Sequence, residues 1–381
     1  MKIMTVIGTR PEGIKMAPVI KLLAQDPALK SVVVTTGQHR EMLQTVFEVF
    51  DFKPDHDLKI MAPNQTLTQI TSRVLLGMER VLQQEKPDLI LVHGDTSTTM
   101  AASLSAFYHQ IPIGHVEAGL RTWDKYSPYP EEMNRQLTDD LADLYFAPTK
   151  LSQANLLKEH HRASRIFVTG NTAIDALQYT VQSDYHHDVL AKISPQQRII
   201  LLTMHRRENQ GAPMQRVFEV IKKEVARHPD VEVIYPVHLS PKVQQAAQAV
   251  FKDEPRVHLI APLDVVDFHN LAARSYLIMT DSGGVQEEAP SLNKPVLVLR
   301  DETERPEGVK AGTLRLVGTD PNRVAQAMEE LLCNQTVYQK MAQAPNPYGD
   351  GHAAERIVAI CKQFLNRQIA RNNLNEFSDV N

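Results

Sequence analysis

Two cysteines and one tryptophan are all that 381 residues carry of either type. Cys333 and Cys361 are too few and too far apart for a disulfide framework or a CxxC redox pair. A reducing compartment, the cytoplasm, is therefore the expected setting. Aromatic residues reach only 6%, so no stacking platform for single-stranded nucleic acid is evident. Charge of one sign is missing too. Lys and Arg number 41 against 45 Asp and Glu, and a net −4 makes no field that would gather nucleic acid or acidic lipid. No apolar run nears the roughly 18 residues of a membrane span. The stretch 3–7, ahead of Arg10, is shorter than a signal-peptide core. What remains, at 43% hydrophobic and 23% charged, is an ordinary globular composition. Its length suits two to three domains of roughly 150 residues.

Short Val- and Ile-rich runs alternate with turns and helical stretches. Runs at 3–7, 32–36, 89–92, 111–116 and 166–168 each lead into a polar or glycine turn. They show little alternation, as expected of strands covered on both faces. Helices between them imply right-handed crossovers in a parallel sheet. Across 182–197 the pattern lapses into polar residues, then restarts at 199–203, 231–237, 257–260, 276–280 and 295–299. Two such series predict an α/β protein of two Rossmann-like, doubly wound domains facing a cleft, divided somewhere between 170 and 197.

Parallel sheets of this kind bind ligands at the carboxyl ends of their strands. The loops there hold Arg10, Glu12, Lys15, His39, Asp95, Glu117, Arg121, His205, Arg206, Arg207, His238, Asp281 and Ser282. Loops are polar in any protein, so each residue also has an ordinary solvated reading.

The segment GTRPEGIK at 8–15 is not a P-loop, because Ile14 separates Gly13 from Lys15 and the GK[ST] ending is missing. No GxGxxG follows a strand, which argues against a nicotinamide site. Arg10 and Lys15 nonetheless bracket a helix start, where backbone N–H groups and the helix dipole favour anions; a plain capping turn would look the same. The second such place is TDSGGVQEE at 280–288. Its glycines let a phosphate approach the main chain, and Glu288 lies about one helical turn further, within reach of ribose hydroxyls. HRREN at 205–209 and Arg305 add donors suited to phosphate oxygens or to a departing group. Asp95 and Glu117 end successive strands, and Glu131 opens a later helix. Carboxylates beside cationic anion sites supply general acids and bases, although a glutamate at a helix start is also an ordinary dipole partner. The pairs His160–His161 and His186–His187 lack the spacing and company of metal ligands. No metal site is expected.

These residues stand within longer motifs in a telling order. After GTRPEGIK come TGQHREML at 36–43, VHGDT at 92–96, GHVEAGLRT at 114–122 and SPYPEEMNR at 127–135. HRREN, YPVH at 235–238, the long run TDSGGVQEEAPSLNKPVLVLRDETERPE at 280–307 and NPYGDG at 346–351 follow. In this the chain resembles the non-hydrolysing UDP-N-acetylglucosamine 2-epimerases over most of its length. The resemblance implies a GT-B-like pair of domains, 1–170 and 171–351, with a final helix over about 352–371 packing back on the first. It implies a cytoplasmic homodimer that interconverts UDP-GlcNAc and UDP-ManNAc for bacterial surface polysaccharide or teichoic acid, with no cofactor.

By the same resemblance, Arg10, Lys15, His205, Ser282, Gly283, Gly284, Glu288 and Arg305 hold the uridine diphosphate, and the main chain near Leu263 and Phe268 meets uracil. Asp95, Glu117 and Glu131 are the expected catalytic carboxylates, with His205 assisting phosphate departure. Some members bind a second UDP-GlcNAc as activator. The matching region here is Gln38, Arg40, Glu41, Arg207 and His238, and Glu41 stands where some strongly regulated members carry glutamine. A hydrolysing 2-epimerase, a GT-B glycosyltransferase or a nucleotide-sugar sensor would share the nucleotide clamp.

Overall fold

The computed structural model describes residues 1–38 and 40–378, and the side chains of 1–38 and 43–370. Its contacts divide the chain into two units. One comprises Met1–Ala176 with the chain from Gly349 onward, the other Leu177–Tyr348.

The first unit carries strands β1 (Lys2–Ile7), β2 (Lys30–Thr35), β3 (His56–Asp57), β4 (Leu89–His93), β5 (Ile113–Val116), β6 (Leu144–Ala147) and β7 (Ile166–Val168). They form one sheet in the order β3-β2-β1-β4-β5-β6-β7, with every pair parallel. The second unit carries β8 (Arg198–Thr203), β9 (Val231–Pro236), β10 (Val257–Ile260), β11 (Leu277–Thr280), β12 (Val296–Val298) and β13 (Leu314–Leu316). Their order is β10-β9-β8-β11-β12-β13, again all parallel. Both sheets are therefore doubly wound, as the two series of apolar runs predict. Strand order reverses between β1 and β4 in one sheet and between β8 and β11 in the other. Those two places are where the connecting helices part to opposite faces and leave a crevice.

The central strands are apolar on both faces because helices cover both. Ile3, Ile7, Leu89 and Leu91 face one core, while Met4, Val6, Ile90 and Val92 face another. The first of these cores is completed by the final helix, Ala353–Ser378, which lays Ile357, Val358, Cys361, Phe364 and Leu365 against Met16, Val19, Ile20 and Leu23 of the helix Arg10–Gln25. That final helix runs beyond the expected end at 371. The helix Arg10–Gln25 likewise starts three residues before the expected Gly13, since a proline at its first turn suits a helix start. Three strands went unpredicted: β3 has only two residues, and β6 and β13 are short runs abutting helices. The polar stretch 182–197 is not structureless either. It includes the short helix Asp188–Ala191, and Val189 and Ile193 are buried in the second unit's core. No described helix is long and apolar enough to cross a membrane.

Candidate active site

At the switch point of the first unit, β1 turns at Gly8 into the helix Arg10–Gln25. Glu12 organises this turn. Its carboxylate accepts from the backbone N–H groups of Gly8 (2.7 Å) and Thr9 (2.6 Å) and from the hydroxyls of Thr96 and Thr99. It is buried, which pushes its carboxyl upward against the pull of those donors. Glu12 is thus occupied in holding two strand-end loops together, and its candidacy as a ligand-binding loop residue is corrected.

Glu117, the residue after β5, has φ +66°, a left-handed conformation that bulky residues seldom adopt. Such strain persists where surrounding structure enforces it, commonly at functional sites. Here the enforcement is visible. Lys15 Nζ lies 2.6 Å from Oε1, Asn171 Nδ2 donates to the same oxygen at 3.0 Å, and His93 Nε2 lies 3.1 Å from Oε2. His93 is buried at the end of β4, and desolvation pushes its pKa down to about 3, so the ring is neutral. Lys15, expected at a phosphate, is paired with this carboxylate.

Asp95 lies two residues beyond β4, the neighbour of β5 in the sheet. Arg135 ion-pairs with its carboxylate, and Asn134 Nδ2 donates to its carbonyl at 2.9 Å. Both partners sit on the helix Glu131–Leu141, so the start of that helix is docked on Asp95. The two glutamates there have different jobs. Glu132 is buried and accepts from the N–H groups of Thr122 and Trp123. Glu131 is half-buried, and its carboxylate hydrogen-bonds to no described residue. Asp95 and Glu117 thus follow neighbouring strands, and Glu131 opens the helix that docks on Asp95. Arg135, Asn171 and His93 are the contributors that the sequence reading overlooked.

Behind this region lies a buried network. His115 on β5 bridges Asp139 (Nδ1 to Oδ1, 2.6 Å) and the carbonyl of Gly94 (Nε2 to O, 2.8 Å). Arg121 binds Asp139 at 2.7 Å and Glu159 at 2.9 Å. Arg121 is therefore a structural partner, and its reading as a ligand-facing loop cation is corrected. Burial opposes ionisation of Asp139, but His115 and Arg121 outweigh it and hold the carboxyl below its usual 3.8. A depressed carboxyl gives stability that is complete above the unfolded-state pKa and lost as pH falls through the folded-state value. Asp139→Asn should accordingly cost about 3–5 kcal/mol at pH 7, as breaking a buried ion pair does. The deficit against wild type should narrow below about pH 3.8. Denaturant unfolding at pH 7 and on the acid side checks this, and a constant gap would exclude the network as its cause.

In the second unit, Asp281 plays the organising part. Buried beyond β11, its Oδ2 accepts from the N–H of His205 (2.9 Å), the N–H of Arg206 (2.8 Å) and the amide of Asn209 (3.0 Å). This stitches the loop after β8 across the switch point to β11, where the hydroxyls of Thr203 and Thr280 also meet at 2.6 Å. His205 is thereby presented with its ring half-exposed and stacked on His238, centroids 5.2 Å apart. Burial lowers its pKa, opposed by Asp281 and reinforced by His238 and Arg206.

Ser282 then stands at the N-cap position of the short helix Gly283–Glu288, its side chain making no capping bond. A Cβ at Gly283 would come within 3.0 Å of the Arg305 guanidinium, so glycine is what lets that cation close on the turn. Arg305 donates to Glu287 (3.0 Å) and Glu304 (2.8 Å), and its carbonyl accepts from the buried Tyr348 hydroxyl of the NPYGDG segment. Leu263, just ahead of the helix Val265–Arg274, and Phe268, within it, are partly buried against the second unit's core.

Of the expected activator contacts, Gln38 accepts from the Thr98 hydroxyl at 3.1 Å. Arg207 and His238 are exposed, and the structure joins His238 to His205. Arg40 and Glu41 lie outside the residues whose side chains are described, and His39 outside the described residues altogether. The adjacent histidines have ordinary partners: His161 meets the Tyr145 hydroxyl, and His187 caps the helix Asp188–Ala191. Among the described residues, His228, Glu329 and Cys333 do bring ligand-type atoms within 4.8 Å, but Arg227 already sits against Glu329 there.

Two doubly wound parallel units, each with its charged groups at the switch point, place the chain in the GT-B-like class. The comparisons with known proteins are narrower. The family model described as UDP-N-acetylglucosamine 2-epimerase matches residues 21–362. The Bacillus subtilis (strain 168) UDP-N-acetylglucosamine 2-epimerase is 59% identical over 94% of each chain. A Neisseria meningitidis UDP-GlcNAc 2-epimerase, solved bound to UDP-GlcNAc, is 46% identical with a TM-score of 0.86, covering 95% of this chain and 100% of that one. The S. aureus MnaA–UDP co-structure is 53% identical with a TM-score of 0.87, covering 96% and 97%. The chain belongs to the UDP-N-acetylglucosamine 2-epimerase family.

Proposed function

We propose that the protein interconverts UDP-GlcNAc and UDP-ManNAc without net hydrolysis, by eliminating UDP and adding it back. The observation that carries this reading is Glu117: a carboxylate on a left-handed backbone, bound by Lys15 and Asn171 with the neutral His93 ring packed against it, on the strand neighbouring that of Asp95. The named activity of the relatives supports it.

The chemistry explains why carboxylates and an anion clamp belong together. A pyranose C2 proton has no neighbouring carbonyl to make it acidic. Its removal becomes feasible when the anomeric C–O bond to the β-phosphate breaks in concert. The C2–H electron pair then forms the C1–C2 double bond of 2-acetamidoglucal, and the bond to oxygen leaves with UDP. Re-addition of UDP to C1, with a proton delivered to the opposite face of C2, gives the epimer. The electrons never leave the sugar and phosphate, so the route calls for no redox cofactor. It does require acid/base groups near C2 and stabilisation of a departing dianion.

In this assignment Asp95, Glu117 and Glu131 move the proton and His205 assists the phosphate. Arg10, Lys15, Ser282, Gly283, Gly284 and Arg305 hold the diphosphate. Glu288 meets the ribose, and the main chain near Leu263 and Phe268 meets uracil. A second UDP-GlcNAc, bound at Gln38, Arg40, Glu41, Arg207 and His238, acts as activator. The protein works as a cytoplasmic homodimer, for which the exposed Leu76, Phe107 and Tyr108 offer apolar surface. Its product serves bacterial surface polysaccharide or teichoic acid.

The deciding experiment is incubation with UDP-GlcNAc alone in D2O, followed by NMR. Deuterium at C2 and an equilibrium mixture of the two UDP-sugars are expected. Accumulation of free ManNAc would establish the hydrolysing reaction instead. No exchange at any UDP-GlcNAc concentration, including those that would fill an activator site, would overturn both.

A further inference from the structure

Glu288 does not stand alone. Its Oε2 lies 3.3 Å from Nε2 of His269, whereas its Oε1 is the nearest atom to the position that a Cβ would take at Gly284, at 4.0 Å. One carboxylate oxygen is tied to the helix Val265–Arg274, and the other faces the glycine turn. His269 is 2% exposed, and the Thr180 hydroxyl sits 2.8 Å from its Nδ1. Thr180 is itself fixed from that same helix. Asn270 Nδ2 donates to the Thr180 carbonyl at 2.7 Å, and Asn270 Oδ1 accepts from the Gln182 N–H at 2.8 Å. The Thr180 hydroxyl also lies 3.5 Å from the Leu177 carbonyl; in the tautomer where it donates to Nδ1 instead, the ring proton is on Nε2 and faces the carboxylate.

We propose that His269, oriented by Thr180, is a positioning residue that aims Glu288 at the ribose of a nucleoside diphosphate and so sets the preference for ribose over deoxyribose. The proposal rests on the reading that the second unit holds UDP. A glutamate on a six-residue helix has three side-chain torsions to restrain before it can serve as a fixed acceptor. Tying Oε2 to a buried imidazole restrains them and leaves Oε1 to accept from a sugar hydroxyl. A site built to pair with a hydroxyl rejects the analogue that lacks it, because the site's own polar group is then stranded. If the carboxylate swings freely, that rejection weakens.

The test is calorimetric binding of UDP, 2′-deoxy-UDP and 3′-deoxy-UDP to wild type, His269→Leu, His269→Gln and Thr180→Val. Wild type should prefer UDP over at least one deoxy analogue by about 10- to 100-fold, the range for a hydrogen bond to a charged group. His269→Leu should shrink the ratio to about threefold or less, by losing UDP affinity while the deoxy analogue binds nearly as before. His269→Gln, which restores a donor near the Nε2 position, should recover most of the ratio. Thr180→Val should fall between, and it carries the same test should His269→Leu not fold. An unchanged ratio, or an equal loss for all three ligands, would reduce His269 to packing and overturn the proposal. A wild type that binds no UDP, or binds it without regard to the hydroxyls, would instead fail the underlying reading of the second unit and take the inference with it.

Discussion

Glu117→Gln should slow deuterium exchange at C2 of UDP-GlcNAc by about a thousandfold, within the range for loss of a general base. Its affinity for UDP should stay within about threefold. The substitution removes the capacity to take a proton and the charge that pairs with Lys15, and keeps the side chain's shape. Glutamine keeps an oxygen to face Lys15 and Asn171, which now hold Oε1 at 2.6 and 3.0 Å. It also has nearly the same volume in a site where His93 leaves no slack. Binding is the needed control, because the phosphate-facing groups assigned to the second unit are untouched. Exchange retained to within tenfold would remove Glu117 from the proton path and shift the role to Asp95 or Glu131. Loss of UDP affinity in step with exchange would show that Glu117 acts by keeping Lys15 in place.

The strand-end loops were readable from sequence because a doubly wound sheet puts its chemistry there whatever the chemistry is. Apolar runs located β1, β4, β5, β8 and β11; the residues just after β1, β4, β8 and β11 sit at the two switch points, and those after β5 at the next strand end. The use of each charge was less readable. Glu12 is paired with hydroxyls of Thr96 and Thr99, more than 80 residues away, and Arg121 is claimed by Asp139 and Glu159. Only the packed sheet brings those partners together, so a local reading makes both look available. His93 escaped notice for the opposite reason. It is the last residue of β4 and reads as the edge of a turn, yet it is buried beside Glu117. Arg135 lay within a recognised motif, but its function depends on how the start of its helix docks on Asp95.

The same logic yields the second large effect. Asp281→Ala should lower unfolding stability by about 3–5 kcal/mol and weaken UDP binding by more than about tenfold. The stability loss follows from what one oxygen does. Oδ2 satisfies the N–H of His205, the N–H of Arg206 and the Asn209 amide at 2.8–3.0 Å, in a position with no solvent exposure. Removing the acceptor strands three donors, each costing about 1–3 kcal/mol where water cannot replace it. Some relaxation of the loop will recover part of that sum. Asp281→Asn should cost less, about 1–2 kcal/mol, because its carbonyl oxygen can still accept while its NH2 group opposes the remaining donors. Binding falls because the loop carrying His205 is held to β11 chiefly through this carboxylate. Denaturant unfolding with an unchanged slope, paired with UDP titration, separates the two consequences. A shift below about 0.5 kcal/mol for the alanine variant would mean that the loop is held by the Arg206 contact to the Asp281 carbonyl instead.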